Sequence, residues 1–393
     1  MKILYHHRTQ GEEPESVHIA NIVAALRDHG QEVDIVGPVK VSESCQAAPR
    51  SRIGRLKQSL PQILVELAQL VYNFKSLWQL RAALRRGGYA FIYERYALYN
   101  IAGLTAARWF RLPLILEVNT PYAQAWAKYY GLKFPRLARA VERFVLRRAN
   151  HLLTVTDVQR QLIEREGVAS ERITVTHNAI DPREFAMERY ATDGLRADLG
   201  LKALVIGFVG TMNRWQGMPG FLDVIRTVVA ADANVSFLFI GDGEERLRLQ
   251  QAIKAAGLGD HATFCGRQPH SLIPRYVACM DIGVLLDSNA YGSPMKVFEY
   301  WSMGKAVIAP SVAPVLEILD DEVTGLLIPP GDSQAMAREI LRLAADPALR
   351  SRLGEAGRRQ VLAHHTWKQN AAKILEAYAS HDVGSLPLSK GAQ

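Results

Sequence analysis

Short, uninterrupted apolar runs alternate with longer segments of helical periodicity along almost the whole chain. In the first half the short runs fall at 2–7, 32–37, 90–94, 114–118, 152–155 and 173–176. Helical segments separate them at 17–28, 62–84, 101–110, 136–148 and 158–166. The second half restarts at 203–209 and continues with 235–240, 262–265, 282–286, 306–309 and 325–328. Apolar runs of this kind read as strands buried on both faces, and their alternation with helices reads as a parallel sheet covered on both sides. The stretch 181–200 is polar, has no strand signal and marks a domain junction. The expected class is therefore α/β, with two doubly wound Rossmann-like domains over 1–182 and 183–380 facing a central cleft. A small polar tail, 381–393, is expected to be disordered. In such sheets ligands bind beyond the carboxyl ends of the strands.

Composition narrows the class. A chain of 393 residues, 48% hydrophobic and 22% charged, has room for two or three domain cores. The net charge of +8 favours anionic partners such as a nucleoside diphosphate, a nucleic acid or an acidic membrane face. Cys45, Cys265 and Cys279 are widely spaced and odd in number, which fits a reducing compartment and offers no disulfide or metal framework. The amino-terminal run lacks a signal-peptide core, and no run approaches the roughly 18 apolar residues that span a bilayer. The expectation is a cytoplasmic protein, soluble or peripheral on the membrane. Neither half carries Gly-x-Gly-x-x-Gly after its first strand, and there is no P-loop. No Asp-x-Asp pair or His/Cys/Asp spacing suggests a metal, and no nucleic-acid-binding pattern surrounds the basic residues.

The chemistry concentrates in the second half. The run YGSPMKVFEYWSMGKAVIAP over 291–310 passes from a small-residue loop (Tyr291, Gly292, Ser293, Pro294) into a helix carrying Met295, Lys296, Val297 and Glu299. A loop that opens a helix presents free N–H groups and a positive dipole end to an anion. Lys296 adds a cation there. Glu299, about one turn on, can accept hydrogen bonds from sugar hydroxyls. A second strand–loop–helix passage contains Gly210, Thr211, Arg214, Trp215, Gln216 and Gly217, with a helix expected from about Pro219. A third contains Gly241, Asp242 and Gly243, whose glycines permit close backbone approach. Arg267 and His270 follow the next strand, each open to a nucleotide contact or a structural role.

These motifs, in this order, resemble the donor side of the GT-B glycosyltransferases, specifically the retaining family four of bacterial polysaccharide type. That family usually has two glutamates eight positions apart; Glu299 holds the second position and Tyr291 stands at the first. Gln216 and Thr211 likewise stand where basic residues are frequent, so the resemblance leaves Arg214 and Lys296 to meet the diphosphate. It implies Lys296, Arg214 and Glu299 as the catalytic set. Gly210, Gln216, Gly217, Gly241, Asp242, Gly243, Arg267, Tyr291, Gly292, Ser293, Pro294, Met295 and Val297 would hold the donor. On the acceptor side His7 and Arg8, at a strand's carboxyl end, read either as binders of hydroxyls or a lipid diphosphate or as structural residues. Glu117 and Asn119 stand at another strand end, and the resemblance implies that Asn178 lines the cleft. Asn119 stands where many relatives have a histidine, and Tyr93-Glu94-Arg95 resembles another strand-end feature. His18 reads as a satisfied residue at a helix start.

The implied function is metal-independent, retaining transfer of a hexose-type sugar from a nucleoside diphosphate to a glycan or lipid-linked acceptor, with no cofactor. Two other readings keep the same architecture: a nucleotide-sugar epimerase or hydrolase, and a non-catalytic nucleotide-sugar-binding subunit. The helix at 134–149 carries Arg136, Arg139, Arg143, Arg147 and Arg148, and the basic stretch 50–57 precedes a helix with Tyr72, Phe74 and Trp78. Each reads either as a surface for anionic lipid or as a solvated face.

Overall fold

The computed structural model describes residues 1–9, 13–38, 61–129 and 131–380, with the backbone alone for 13–14 and 126–129. Cys45, the basic stretch 50–57 and the tail 381–393 lie outside the described residues. The chain divides into two compact units. Described residues up to Thr176, together with those from Lys368, form one; His177–Trp367 form the other.

The first unit is built on a six-stranded parallel sheet in the order β2-β1-β3-β4-β5-β6. Its strands are β1 Lys2–His6, β2 Glu32–Val36, β3 Tyr89–Arg95, β4 Leu114–Val118, β5 His151–Thr154 and β6 Ile173–Val175. Strands β1 and β4 are buried almost end to end, as uninterrupted apolar runs require when helices cover both faces. Local signals set the helix ends. Thr156 caps the helix Asp157–Arg165 by accepting the Gln159 N–H at 3.2 Å. Arg111, at φ 55°, ends the helix Ala102–Phe110 in the left-handed region. The described chain from Lys368 onward, expected in the second domain, belongs instead to this unit. Its helix stacks Tyr378 on Phe91 at 4.8 Å.

The second unit repeats the architecture in the order β12-β11-β10-β7-β8-β9, again all parallel. Its strands are β7 Leu204–Val209, β8 Val235–Ile240, β9 Ala262–Phe264, β10 Ile282–Val284, β11 Ala306–Pro310 and β12 Leu326–Ile328. Two apolar layers enclose the sheet, one around Phe208, Phe221 and Phe239, the other around Tyr300, Trp301 and Phe298.

Each sheet grows first to one side of its leading strand and then to the other. The switch points therefore lie between β1 and β3 and between β7 and β10, where a doubly wound sheet opens a crevice. At the second switch point Gly207 is in register with Gly283. A Cβ at Gly283 would lie 2.3 Å from the Tyr300 ring, so glycine lets the helix Met295–Ser302 lie close on the sheet. The Tyr300 hydroxyl then accepts the Val209 N–H at 2.8 Å. This contact ties the helix that carries Lys296 and Glu299 to the end of β7.

Candidate active site

In the second unit, three loops meet at the carboxyl ends of β7, β8 and β10. Gly210 and Gly241 have φ of 139° and 129°, and a Cβ on Gly241 would lie 1.9 Å from the Gly210 carbonyl oxygen. Only glycine permits that approach. The Met212 N–H donates to the Asp242 carbonyl at 3.0 Å, joining the two loops. Asp242 itself accepts from the Gly243 N–H at 2.9 Å and from Arg246 at 2.7 Å, and that pairing lowers its pKa.

Lys296 reaches over this glycine corner. A Cβ on Gly210 would lie 2.8 Å from Nζ. Nζ donates to Gln216 Oε1 at 3.1 Å and stands 4.2 Å from the centre of the Phe208 ring. Desolvation pushes the ammonium down to about 7, with Glu299 pulling the other way. Lys296 is thus a cation held against a neutral amide and an aromatic face, above a glycine whose missing Cβ leaves room for Nζ. Glu299 is buried on the same helix, and His270 Nε2 lies 3.6 Å from its Oε1. No side chain caps the first turn of that helix; the Val297 N–H donates to the Pro294 carbonyl at 3.1 Å, and the remaining helix-start amides, Met295 and Lys296, are the kind that bind an anion.

The loop before the helix is pinned at two points. Asn289 Oδ1 accepts the N–H groups of Tyr291 at 3.1 Å and Gly292 at 2.5 Å. Asn178 donates its backbone N–H to Ser293 Oγ at 3.1 Å and its side-chain amide to the Ser293 carbonyl at 2.8 Å. Asn178, expected on the acceptor side, therefore belongs to the second unit and braces the loop before Lys296. Met295 and Val297 flank Lys296 on the helix, and Pro294 stands at its start. Gly217, at φ 77°, closes the 3₁₀ turn Arg214–Gln216. Arg214 and Arg267 are exposed. The Arg214 backbone N–H donates to Glu244 at 3.3 Å, and Arg267 acts on Asp242 through its charge. The structure thus joins Lys296, Gln216, Gly210 and Glu299 into one cluster and leaves the Arg214 guanidinium on the surface.

In the first unit the strand-end residues are mostly committed to one another. Glu117 accepts from Tyr93 at 2.5 Å, from Arg95 at 2.6 Å and from Asn119, and His18 Nε2 lies 2.9 Å from its Oε1. Desolvation pushes this buried carboxylate up, but His18, Arg95 and Tyr93 prevail and hold it well below the usual range. His18 is therefore a partner of Glu117 rather than a residue satisfied within its own helix. Glu117, expected to face the acceptor, has both oxygens occupied by protein groups. His6 pairs with Glu94 through a very short contact. His7 is fully buried, and burial pushes its imidazole down to about 3, so it is neutral. Arg8 donates to the Gln69 carbonyl at 2.7 Å and lies 4.7 Å from the Tyr72 ring centre. Buried atoms without a protein partner gather at this edge: both His7 nitrogens, Glu94 Oε1, Arg95 Nε, Tyr96 Oη and Asn119 Oδ1.

Among the described residues no group of three or more His, Cys, Asp or Glu side chains could hold a metal ion. No described helix is long and apolar enough to cross a membrane. Three of the five arginines of the helix Pro135–Arg148 are engaged by one residue, Glu166. Arg139 and Arg143 both pair with Glu166, at 2.8 and 2.7 Å, and Arg147 donates to the Glu166 carbonyl at 2.6 Å.

Residues 195–360 match the model described as glycosyl transferases group 1, and residues 16–179 match the glycosyl transferase 4-like domain. The chain is similar to the 2-deoxystreptamine glucosyltransferase of Streptomyces kanamyceticus, with 29% identity over 321 residues, 80% of this chain and 76% of the relative. It is also similar to a lipopolysaccharide core biosynthesis glycosyltransferase of Rhizobium meliloti, with 33% identity over 175 residues, 44% of this chain and 49% of the relative. Among solved structures, Anabaena HepE in complex with UDP shares the fold at a TM-score of 0.71 and 18% identity, covering 97% of this chain and 100% of the other.

Proposed function

This chain is a group 1 glycosyltransferase with the GT-B fold, and from that premise we propose that it is a retaining, metal-independent enzyme of envelope or polysaccharide synthesis. The second unit takes a nucleoside diphosphate sugar and the first takes a glycan or lipid-linked acceptor. The enzyme works in the cytoplasm, at the inner face of the membrane, and needs no cofactor. UDP in Anabaena HepE supports the nucleotide class, and the relative that acts in lipopolysaccharide core synthesis supports the acceptor class.

The observation that carries this reading is Lys296, whose desolvated ammonium stands on the glycine corner of β7 beside a helix start without a side-chain cap. A diphosphate there receives amide hydrogen bonds and one cation, and the charge it gains as the sugar leaves is stabilised where water is excluded. Glu299 takes the donor's ribose hydroxyls. Leaving-group oxygen and acceptor hydroxyl meet on one face of the sugar, so the diphosphate itself accepts the acceptor proton and no enzyme nucleophile is required. The work of the protein is positioning and charge stabilisation.

Candidate donors are first ranked by thermal shift, because a bound donor raises apparent stability by mass action. Transfer is then measured in excess EDTA, and the product's anomeric configuration is read by NMR. Retained configuration and an EDTA-insensitive rate are expected. An inverted product, or a rate that collapses with EDTA and returns with magnesium or manganese, overturns the mechanism.

A further inference from the structure

The helix Gln62–Leu84 in the first unit is apolar on two faces. Val65, Leu80, Ala83 and Leu84 face the protein and are buried. Ile63, Leu67, Val71, Phe74 and Trp78 recur at helical spacing on the other side and are exposed, with Val71 at 64%, Phe74 at 77% and Trp78 at 72%. The helix's single acid, Glu66, is buried and occupied by the Tyr99 hydroxyl at 2.6 Å and the Lys133 and Phe134 N–H groups. Every charge this helix shows to solvent is a cation, from Lys75 and Arg81, and Arg85 follows at its end. The helix Ala102–Phe110 runs beside it, joined where the Ile101 N–H donates to Asn73 at 2.9 Å. That helix adds exposed Trp109 flanked by exposed Arg108 and Arg111.

We infer that this face is where the protein lies on an anionic phospholipid bilayer, with Phe74, Trp78 and Trp109 at the headgroup boundary and Lys75, Arg81 and Arg85 on the lipid phosphates. Trp and cations around an apolar stripe suit that boundary chemically. Charge complementarity selects the occupant. A second copy would set cations against cations, whereas an acidic lipid surface neutralises them. The helix lies on the bilayer and does not cross it. The arginines of Pro135–Arg148, several of them already engaged by Glu166, are not the contact.

This deepens the membrane placement proposed above, and it rests on that reading for the identity of the acceptor. The test uses neither donor nor acceptor, so the two can fail separately. Full-length protein is sedimented with vesicles of equimolar phosphatidylcholine and phosphatidylglycerol at low and high salt. Binding at low salt, released by salt, is expected. Phe74→Glu with Trp78→Glu should lower the bound fraction about tenfold or more, and Lys75→Glu, Arg81→Glu and Arg85→Glu together should do the same. Arg139→Glu, Arg143→Glu and Arg147→Glu should leave it unchanged. Trp78→Phe keeps the face apolar and supplies a second readout: lipid with brominated acyl chains should quench wild-type fluorescence more than the variant's. The inference is overturned by absent binding, by equal binding of the Phe74/Trp78 variant, or by equal quenching. It is also overturned if the face instead mediates self-association that the Phe74/Trp78 variant abolishes.

Discussion

At the carboxyl edge of the first sheet, Tyr93, Arg95, His18 and Asn119 close on one carboxylate, Glu117. At the matching edge of the second sheet, Lys296 meets one neutral amide and one aromatic ring. Both sites are desolvated, yet desolvation has opposite consequences. In the first unit, opposite charges outweigh it, and Glu117 stays ionised. In the second, Glu299 offsets it only in part, and the ammonium is left near neutrality at about 7. A buried charge with its partners in place braces a fold, whereas one without them is poised for a ligand that supplies the missing charge. The two edges should therefore respond to mutation in different currencies, stability in one and turnover in the other.

The largest effect expected is on stability. Glu117→Ala leaves Arg95 buried beside a lost carboxylate and should cost about 3–5 kcal/mol in denaturant unfolding. Because the native carboxyl is held below its unfolded value, its contribution is present above the ordinary carboxylate range and is lost as pH falls below it. Adding Arg95→Met should recover much of the loss. If Glu117→Ala unfolded like the wild type and lost only acceptor affinity, the brace would have to be reread as a ligand site.

Lys296→Ala should act in the other currency. Loss of one preorganised charge at a leaving group lowers turnover roughly a hundred- to a thousandfold. Stability at neutral pH should hold or rise, since the substitution removes a desolvated amine. An effect on donor affinity alone, with saturated turnover intact, would separate Lys296 from the chemical step.

Glu299→Gln should weaken donor binding about tenfold, the scale of one hydrogen bond to a charged acceptor, while the fold is kept. Calorimetric donor affinity equal to wild type would remove the ribose role from Glu299.

The contrast between the edges was only half legible in the sequence. Apolar runs placed the strands, and the spacing of Lys296 and Glu299 placed both on one helix after a loop. What the spacing could not carry is the tertiary pairing. Gln216, 80 residues from Lys296, occupies a position read as a lost cation site and turns out to hold the lysine. Phe208 was visible only as part of a strand, and Tyr300 only as part of an apolar helix. Their roles depend on the Gly207–Gly283 register, which no local pattern encodes. Glu117 was legible as a strand-end acid, but its saturation comes from three separate segments. The return of the helix Trp367–Ala379 to the first unit escaped the sequence for a similar reason. An amphipathic period shows that a helix packs, not against which sheet.

The finest test asks whether the second edge is indeed waiting for charge. In the free protein Lys296 titrates at about 7, below its ordinary 10.5, because desolvation favours the neutral amine. A bound diphosphate favours the ammonium and moves this value up. Below pH 7 the cation is present before and after binding, so donor affinity should be flat. Above it, binding must take up a proton, and affinity should fall by up to about tenfold per pH unit until the bound-state value is reached. A nucleoside diphosphate sugar suits the measurement, because its esterified phosphates do not themselves titrate in this range. Calorimetry in buffers of different ionisation enthalpy should show proton uptake approaching one per donor at pH 8. Lys296→Arg, charged throughout, should bind with no such slope. A wild-type profile as flat as that of Lys296→Arg would mean that Lys296 already carries its full charge in the free protein, and the contrast with the saturated Glu117 edge would collapse.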